Sequence, residues 1–360
     1  MRIRGVVLPF FSIFFLIATI IPAQRSEISP SQNIQISQTV TPLLYAADFV
    51  VAEDGVIFIS DAKDGNIKGY DSSGKLLNII GQRGPGPEEF LGPSFCDYQA
   101  PFLAILDGAR KIHVYERRGR AELSKIGEIY CLMCTSDVIL SGKGVLVDNY
   151  IHEKERGAFF LTLRELGGAA IRYLLPIERR YGYDSIRDYK VNYDDLSKLS
   201  AQRGFLTISD NRIFFVFDVK PKVIGVNLDG SGIATFGGPS PNYREPRINQ
   251  TIRNAFSSEE SESIKREREK VSYITGILST KDMVGVLFSN YDASSDIWKL
   301  YLQRYDAAGH FVSESLLREA TNYGSLFHYY FQRETCILYV MAERYGDETD
   351  DYRILGYKLK

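Results

Sequence analysis

The stretch Gly81–Phe90, GQRGPGPEEF, decides how the rest of the chain is read. A glycine-rich loop cradles a phosphate when free backbone N–H groups converge on the anion, usually where a strand feeds a helix. Here Pro85 and Pro87 carry no N–H, no Gly-Lys-Ser/Thr follows, and Phe90-Leu91-Gly92-Pro93 leads into another β-run. The loop therefore reads as a joint between two sheet units. In that role Gly84 and Gly86 would take backbone angles closed to other residues, Pro85 and Pro87 would fix φ, and Phe90 would pack between the units.

Working upstream from the joint, four short β-runs occur at Phe49–Ala52, Val56–Ser60, Ile67–Tyr70 and Lys75–Ile80. Glu53-Asp54-Gly55, Asp61–Asn66 and Asp71-Ser72-Ser73-Gly74 separate them, the turn chemistry that antiparallel hairpins require. Downstream the pattern recurs over Phe95–Ile126, Val138–Leu175, Leu206–Phe236 and Tyr273–Val312. Gly74, Gly119, Gly167, Gly230 and Gly309 close the last turn of each unit. Once the insertions Ile177–Gln202 and Pro239–Lys270 are set aside, the period is that of a propeller blade.

A sixth unit, Leu326–Lys360, holds only three runs, at Leu326–Phe331, Cys336–Glu343 and Arg353–Leu359. The run Asn33–Val40, NIQISQTV, is the natural donor of its fourth strand. Such pairing would close a ring and remove the open sheet edges that must otherwise be protected.

The succession Val56-Ile57-Phe58-Ile59-Ser60-Asp61, Gly65-Asn66-Ile67, Tyr70-Asp71, Gly74, Ile80-Gly81, Gly84, Gly86-Pro87-Glu88, Phe90 and Pro93 resembles the NHL-repeat family of β-propellers. More particularly, the chain resembles secreted six-bladed β-propeller proteins of bacteria. The resemblance implies an all-β fold of four-stranded antiparallel blades, the last closed by the N-terminal strand, with one short helical insertion. It leaves function open, because propellers host hydrolases, lyases, binders and interaction platforms alike.

The chain has 360 residues, 44 % of them hydrophobic, enough for a sizeable core. Its first 24 carry Arg2 and Arg4, an apolar run Val6–Ile21 and the exit Pro22-Ala23-Gln24, the form of a secretory signal. The run is shorter than the roughly 20 residues a membrane-spanning helix needs, so no span is expected after cleavage. The expected organisation is a signal peptide at 1–24, a linker at 25–32 and one propeller at 33–360, working as a monomer in the periplasm or outside the cell.

Removing the two leader arginines from 43 basic residues leaves 41 against 45 acidic ones, a net charge of about −4. That balance disfavours nucleic acid. Cys131-Leu-Met-Cys134 has the spacing of half a zinc site, but no second CxxC or histidine pair follows, so it and Cys96 and Cys336 read as buried thiols.

Propeller enzymes of the kind resembled here hold metal near the ring axis with histidines or converging carboxylates. The four histidines, His113, His152, His310 and His328, show no pairing at ligand spacing. Asp61 and Asp107 stand at one place in successive units, where a short acid can accept hydrogen bonds from the N–H groups of the loop that follows. Calcium held by such acids is the one cofactor the pattern admits, and none is otherwise predicted. There is no Gly-x-Ser-x-Gly elbow.

The insertions carry the candidate recognition residues. Arg179, Arg180, Tyr181, Tyr183, Arg187, Tyr189 and Tyr193 combine two side-chain types enriched at binding hot spots. They could clasp an anionic or glycan-like ligand or a protein, or seal the loop onto the blades. In the other insertion Ser257 and Glu260 form a capping box ahead of Lys265, Arg266, Arg268 and Lys270, which predicts a solvated helix. The expected function is a non-catalytic ligand- or protein-binding module of the bacterial cell envelope. The alternative is a metal-assisted hydrolase or lyase with an axial site.

Overall fold

The computed structural model describes residues 26–108, 111–130, 134–142, 144–153, 157–167, 169–177, 204–217, 220–238, 240–244, 266, 269–321, 328–344 and 351–359. Every element with described bounds is a β-strand. The leader lies outside these residues, as do both candidate insertions apart from Ile177 of the first and residues 240–244, 266, 269 and 270 of the second, where Arg266 is helical.

Strands are numbered in chain order, beginning with β1 (Ser26–Glu27) and β2 (Gln32–Gln35). Sheet I is β3 (Ala46–Val51), β4 (Ile57–Asp61), β5 (Asn66–Tyr70) and β6 (Leu76–Ile80). A two-stranded ribbon of β7 (Gln82–Arg83) and β8 (Glu89–Phe90) follows. Sheet II is β9 (Pro93–Gln99), β10 (Phe102–Asp107), β11 (Lys111–Arg117) and β12 (Leu123–Tyr130). Sheet III is β13 (Cys134–Ser141), β14 (Gly144–Glu153), β15 (Gly157–Arg164) and β16 (Ala170–Ile177), and sheet IV is β17 (Gly204–Ser209), β18 (Arg212–Phe217), β19 (Lys220–Asn227) and β20 (Ala234–Phe236). Sheet V is β21 (Ser272–Ser279), β22 (Met283–Asp292), β23 (Ile297–Asp306) and β24 (Phe311–Thr321); sheet VI is β25 (Tyr329–Gln332), β26 (Ile337–Arg344) and β27 (Asp351–Lys358).

Within each sheet successive strands pair antiparallel. The first strand of each lies innermost, and neighbouring first strands pack side by side: β3 with β9, β9 with β13, β13 with β17, β17 with β21, and β25 with β3. Tyr329 joins β25 to β21, its hydroxyl bonding both the N–H and the carbonyl of Ile277. Apolar packing follows the same circuit. One cluster joins sheets VI, I and II, and others join II to III, III to IV, IV to V and V to VI. The chain is an all-β propeller.

That packing explains the sequence pattern. A sheet covered on both faces needs apolar residues on both sides of its strands, so β4 and β5 are buried at every position and read as continuous runs. The outer strand β6 is mostly exposed although four of its five residues are apolar. Last turns close alike in three sheets: the N–H groups of Gly74, Gly230 and Gly309 donate to the carbonyls of Asp71, Asn227 and Asp306, with φ of 83°, 86° and 88°. Such angles are cheap only for glycine.

The leading segment binds three sheets in succession. β1 runs parallel to β24 on the outer edge of sheet V. Residues 25–32, expected to be only a linker, thus contribute a strand. β2 then pairs antiparallel with β27, Asn33 opposite Leu355 and Ile34 opposite Ile354. The donor is shorter than the expected Asn33–Val40: β2 ends at Gln35, the Ile36 N–H makes a last bond to the Tyr352 carbonyl of β27, and the Ser37 N–H turns away to the Gly74 carbonyl of sheet I.

Candidate functional site

The turn joining first to second strand in each sheet lies at one end of the ring, where the innermost strands finish. Turns from five sheets surround a cavity of about 830 Å³ there. Sheet II contributes Gln99, and sheet III contributes Ser141 and Gly142. Sheet IV supplies Ile208–Asn211 with Leu228, and sheet V supplies Ser279–Met283. Sheet VI adds Arg333, Cys336 and, past β27, Leu359. The corresponding turn of sheet I is tied sideways instead, through a 2.5 Å ion pair between Asp54 and Arg117 of sheet II.

Backbone strain concentrates at this mouth. Among the described residues three non-glycine positions have positive φ, and two of them, Asp210 (53°) and Cys336 (54°), line the cavity. Such conformations persist where surrounding structure over-determines them, commonly at binding sites.

Polar bonds between inner strands hold the turns in place. Gln332 Nε2 donates to the Val51 and Ala52 carbonyls at 3.3 and 3.0 Å, which locks sheet VI to sheet I. The buried hydroxyls of Thr207 and Ser279 lie 3.2 Å apart and join sheets IV and V. Asp97 accepts the Leu140 N–H at 2.7 Å, joining sheets II and III, and stands 3.7 Å from the Arg333 guanidinium. Burial raises the Asp97 carboxyl above its ordinary value against the opposing pull of Arg333 and of the Leu140 N–H.

The Gly81–Phe90 loop cradles an anion of its own. The Glu89 carboxylate accepts the Gly86 N–H at 2.8 Å and the Gln82 side-chain amide at 2.7 Å. Gly84 and Gly86 do not take the expected backbone angle: neither has positive φ, and a Cβ on either would stand 2.1 or 2.8 Å from Glu89 Oε2, so a side chain there would displace the carboxylate from its seat. Gly65 and Gly81 take the left-handed angles instead, at 69° and 73°. Pro87 offers its carbonyl to Lys125. Pro85 lies between the two glycines, where it carries no N–H to compete for Glu89. Phe90 is fully buried, its ring 5.0 Å from His113 and 6.5 Å from Tyr115.

Asp61 and Asp107 work chiefly on the loop that precedes their sheet, not the one that follows. Asp61 accepts the N–H groups of Leu44 and Tyr45, and of Asp64 from the following loop. Asp107 accepts those of Leu91 and Gly92. Asp61 also receives the buried Lys68 ammonium, which further contacts Asp64 and the Pro42 carbonyl. At the matching register of sheet II stands His113, 3.8 Å from Asp107 and 3.7 Å from Glu128.

His113, His310 and His328 belong to different sheets, and His310 pairs with Asp306 at 3.0 Å on the surface. Burial lowers the His328 imidazole to about 4. Among the described residues no three His, Cys, Asp or Glu side chains form a group that could hold a metal. Cys96 and Cys336 are free thiols, Cys131 lies outside the described residues, and Cys134 opens β13. Arg179, Arg180, Tyr181, Tyr183, Arg187, Tyr189 and Tyr193 all lie outside the described residues. The sequence marks Glu53-Asp54-Gly55, Ser141–Gly144, Asn211 and Lys281-Asp282 as turns but gives no sign that such turns converge. Their common signal is position, each being the first turn of its repeat.

Neither a family model nor a curated protein sequence matches the chain. Solved structures do. A Bacteroides fragilis protein named as exported matches with a TM-score of 0.53 at 13 % identity, over 91 % of this chain and 95 % of that one. A member of the DUF4221 family from Bacteroides vulgatus matches with a TM-score of 0.56 at 10 % identity, over 92 % and 97 %. At these identities the likeness shows the fold alone. Among the described residues no helix is long and apolar enough to cross a membrane.

Proposed function

We propose that the chain is a six-bladed propeller of NHL type, exported by the leader at 1–24, that serves as a non-catalytic ligand- or protein-binding module of the bacterial cell envelope. Six sheets in ring order, each of four or more strands once β2 joins the last, support the blade number. The signal-like leader and a fold neighbour named as exported support the location.

The observation that carries the binding reading is the axial mouth. It has the volume of a small-molecule site, is built from turns of five sheets, and holds two of the three left-handed non-glycine residues. Loops set on a rigid ring are a common seat of recognition. Arg179, Arg180, Tyr181, Tyr183, Arg187 and Tyr189 would add recognition groups from the insertion between sheets III and IV.

Gly142 gives the test. It lines the mouth with nothing within 4 Å of a would-be Cβ, so Gly142→Trp adds bulk at the mouth without a clash at its Cβ. Wild type and variant should be compared on arrays of oligosaccharides and peptides. Signals lost in Gly142→Trp support the mouth as the site, and an unchanged pattern counts against it. Elemental analysis of the purified protein addresses the rival: about one bound metal per chain together with hydrolytic or lyase turnover would favour the enzyme.

A further inference from the structure

Charge is distributed unevenly with depth in the mouth. Asp210, Lys281 and Asp282 are exposed, where water screens a charge and leaves it little net effect. Arg333 is recessed, its side chain 25 % exposed, and its one ionic contact among the described residues is Asp97 at 3.7 Å, too long for a hydrogen bond. The guanidinium therefore presents N–H donors that the protein's described groups leave unused.

The turn that carries Arg333 is also held in advance of binding. The Cys336 thiol contacts the Arg333 carbonyl, Thr335 bonds Gln332 at 2.6 Å, and Gln332 is fixed to sheet I. A guanidinium carried on a fixed turn and already largely removed from water gives up little solvation on receiving a planar anion. In the same lining, Gln99 and Asn211 carry side-chain amides.

We infer that the axial mouth takes a small ligand bearing a carboxylate, which seats on Arg333 while amide or hydroxyl groups of the same ligand meet Gln99 and Asn211. This rests on the mouth being the binding site. A hydroxylated sugar acid and a peptide C-terminus share that chemistry, and a cavity of about 830 Å³ admits a disaccharide or a tripeptide of either kind.

The experiment is titration calorimetry with digalacturonate and N-acetyl-trialanine, each beside a neutral counterpart, the methyl ester and the C-terminal amide. Wild type should bind at least one acid about tenfold or more tightly than its neutral form, the scale of a hydrogen bond to a charged group. Arg333→Gln should lose that preference. The double variant Arg333→Gln with Asp97→Asn removes both charges together and keeps the test valid if the single variant unfolds. Equal binding of acid and neutral forms, preference retained in the variants, or no binding of either acid overturns the inference. If Gly142→Trp abolishes binding that is indifferent to the carboxylate, the mouth stands and the carboxylate falls. If acid binding survives Gly142→Trp, the mouth itself falls and takes the inference with it.

Discussion

Lys68 Nζ lies 2.8 Å from Asp61 Oδ2, and neither side chain reaches solvent. A buried pair is weak evidence of net stabilisation, yet removing one member strands the other as an uncompensated charge. Lys68→Met should therefore cost about 3–5 kcal/mol, read as a lower urea midpoint. A loss under about 1 kcal/mol would mean that the backbone N–H groups on Asp61 suffice without the ammonium.

Acid should weaken sheet II and the loop that enters it. Burial works to raise the Glu128 carboxyl, but hydrogen bonds from Lys125, Tyr130 and Lys111 outweigh it and hold the group down at about 2. A folded value below the unfolded 4.5 contributes stability that is present above that pH and lost as pH falls toward about 2. Asp107, held low by His113 and by the Gly92 and Leu91 N–H groups in spite of burial, acts in the same sense. Glu128→Gln should reduce the acid-dependent loss by about 1 kcal/mol after allowing for screening, measured by urea denaturation at pH 7 and pH 3. Parallel curves for variant and wild type would rule out this contribution.

The N-terminal strap can be tested at one atom. A Cβ at Gly74 would lie 1.8 Å from the Gln35 carbonyl oxygen, a backbone atom that cannot swing aside, and φ there is +83°. Gly74→Ala should cost about 2 kcal/mol or more from conformation and crowding together. A chain beginning at Gln38 should lose at least as much, and should self-associate by light scattering because the β24 and β27 edges are left unpaired. A monomeric truncation of unchanged stability would show the strap to be dispensable.

Cys336 offers a substitution expected to stabilise. Its φ of 54° is costly for a side chain with a Cβ and free for glycine. Cys336→Gly should raise stability by up to about 1 kcal/mol, the relief being partly offset by the greater freedom of glycine in the unfolded chain. A clear loss would mean that the thiol contact to the Arg333 carbonyl matters more than the strain.

Much of the fold could be read from the chain because each strand is short, doubly covered and punctuated. Val56–Ser60 and Ile67–Tyr70 were legible as strands since their burial on both faces imposes unbroken apolar runs. The repeated turn ending at Gly74, Gly230 and Gly309 was legible since its angle selects glycine. The left-handed angles fall at Gly65 and Gly81 and not at Gly84 and Gly86, because a glycine in sequence does not say which bend of a loop it serves. The direction of Asp61 and Asp107 was hidden likewise, since a carboxylate at a strand end can serve the loop on either side. Arg333, Asp210 and Gln99 gave no local sign at all. Ring closure alone brings them together, and no short window of sequence contains it.

The Ser31 hydroxyl donates to the Gly356 carbonyl across 325 residues of chain. This early stretch thus finds its partner only once β27 has been made. Every sheet but the final one can assemble while synthesis continues, but β27 and the outer edge of β24 await a tail that must stay unclaimed in the meantime. Contacts of such long separation are slow to form. Completion of the ring is therefore set by the meeting of β2 with β27, and interruption before β27 is made would leave an otherwise finished circle open at its seam.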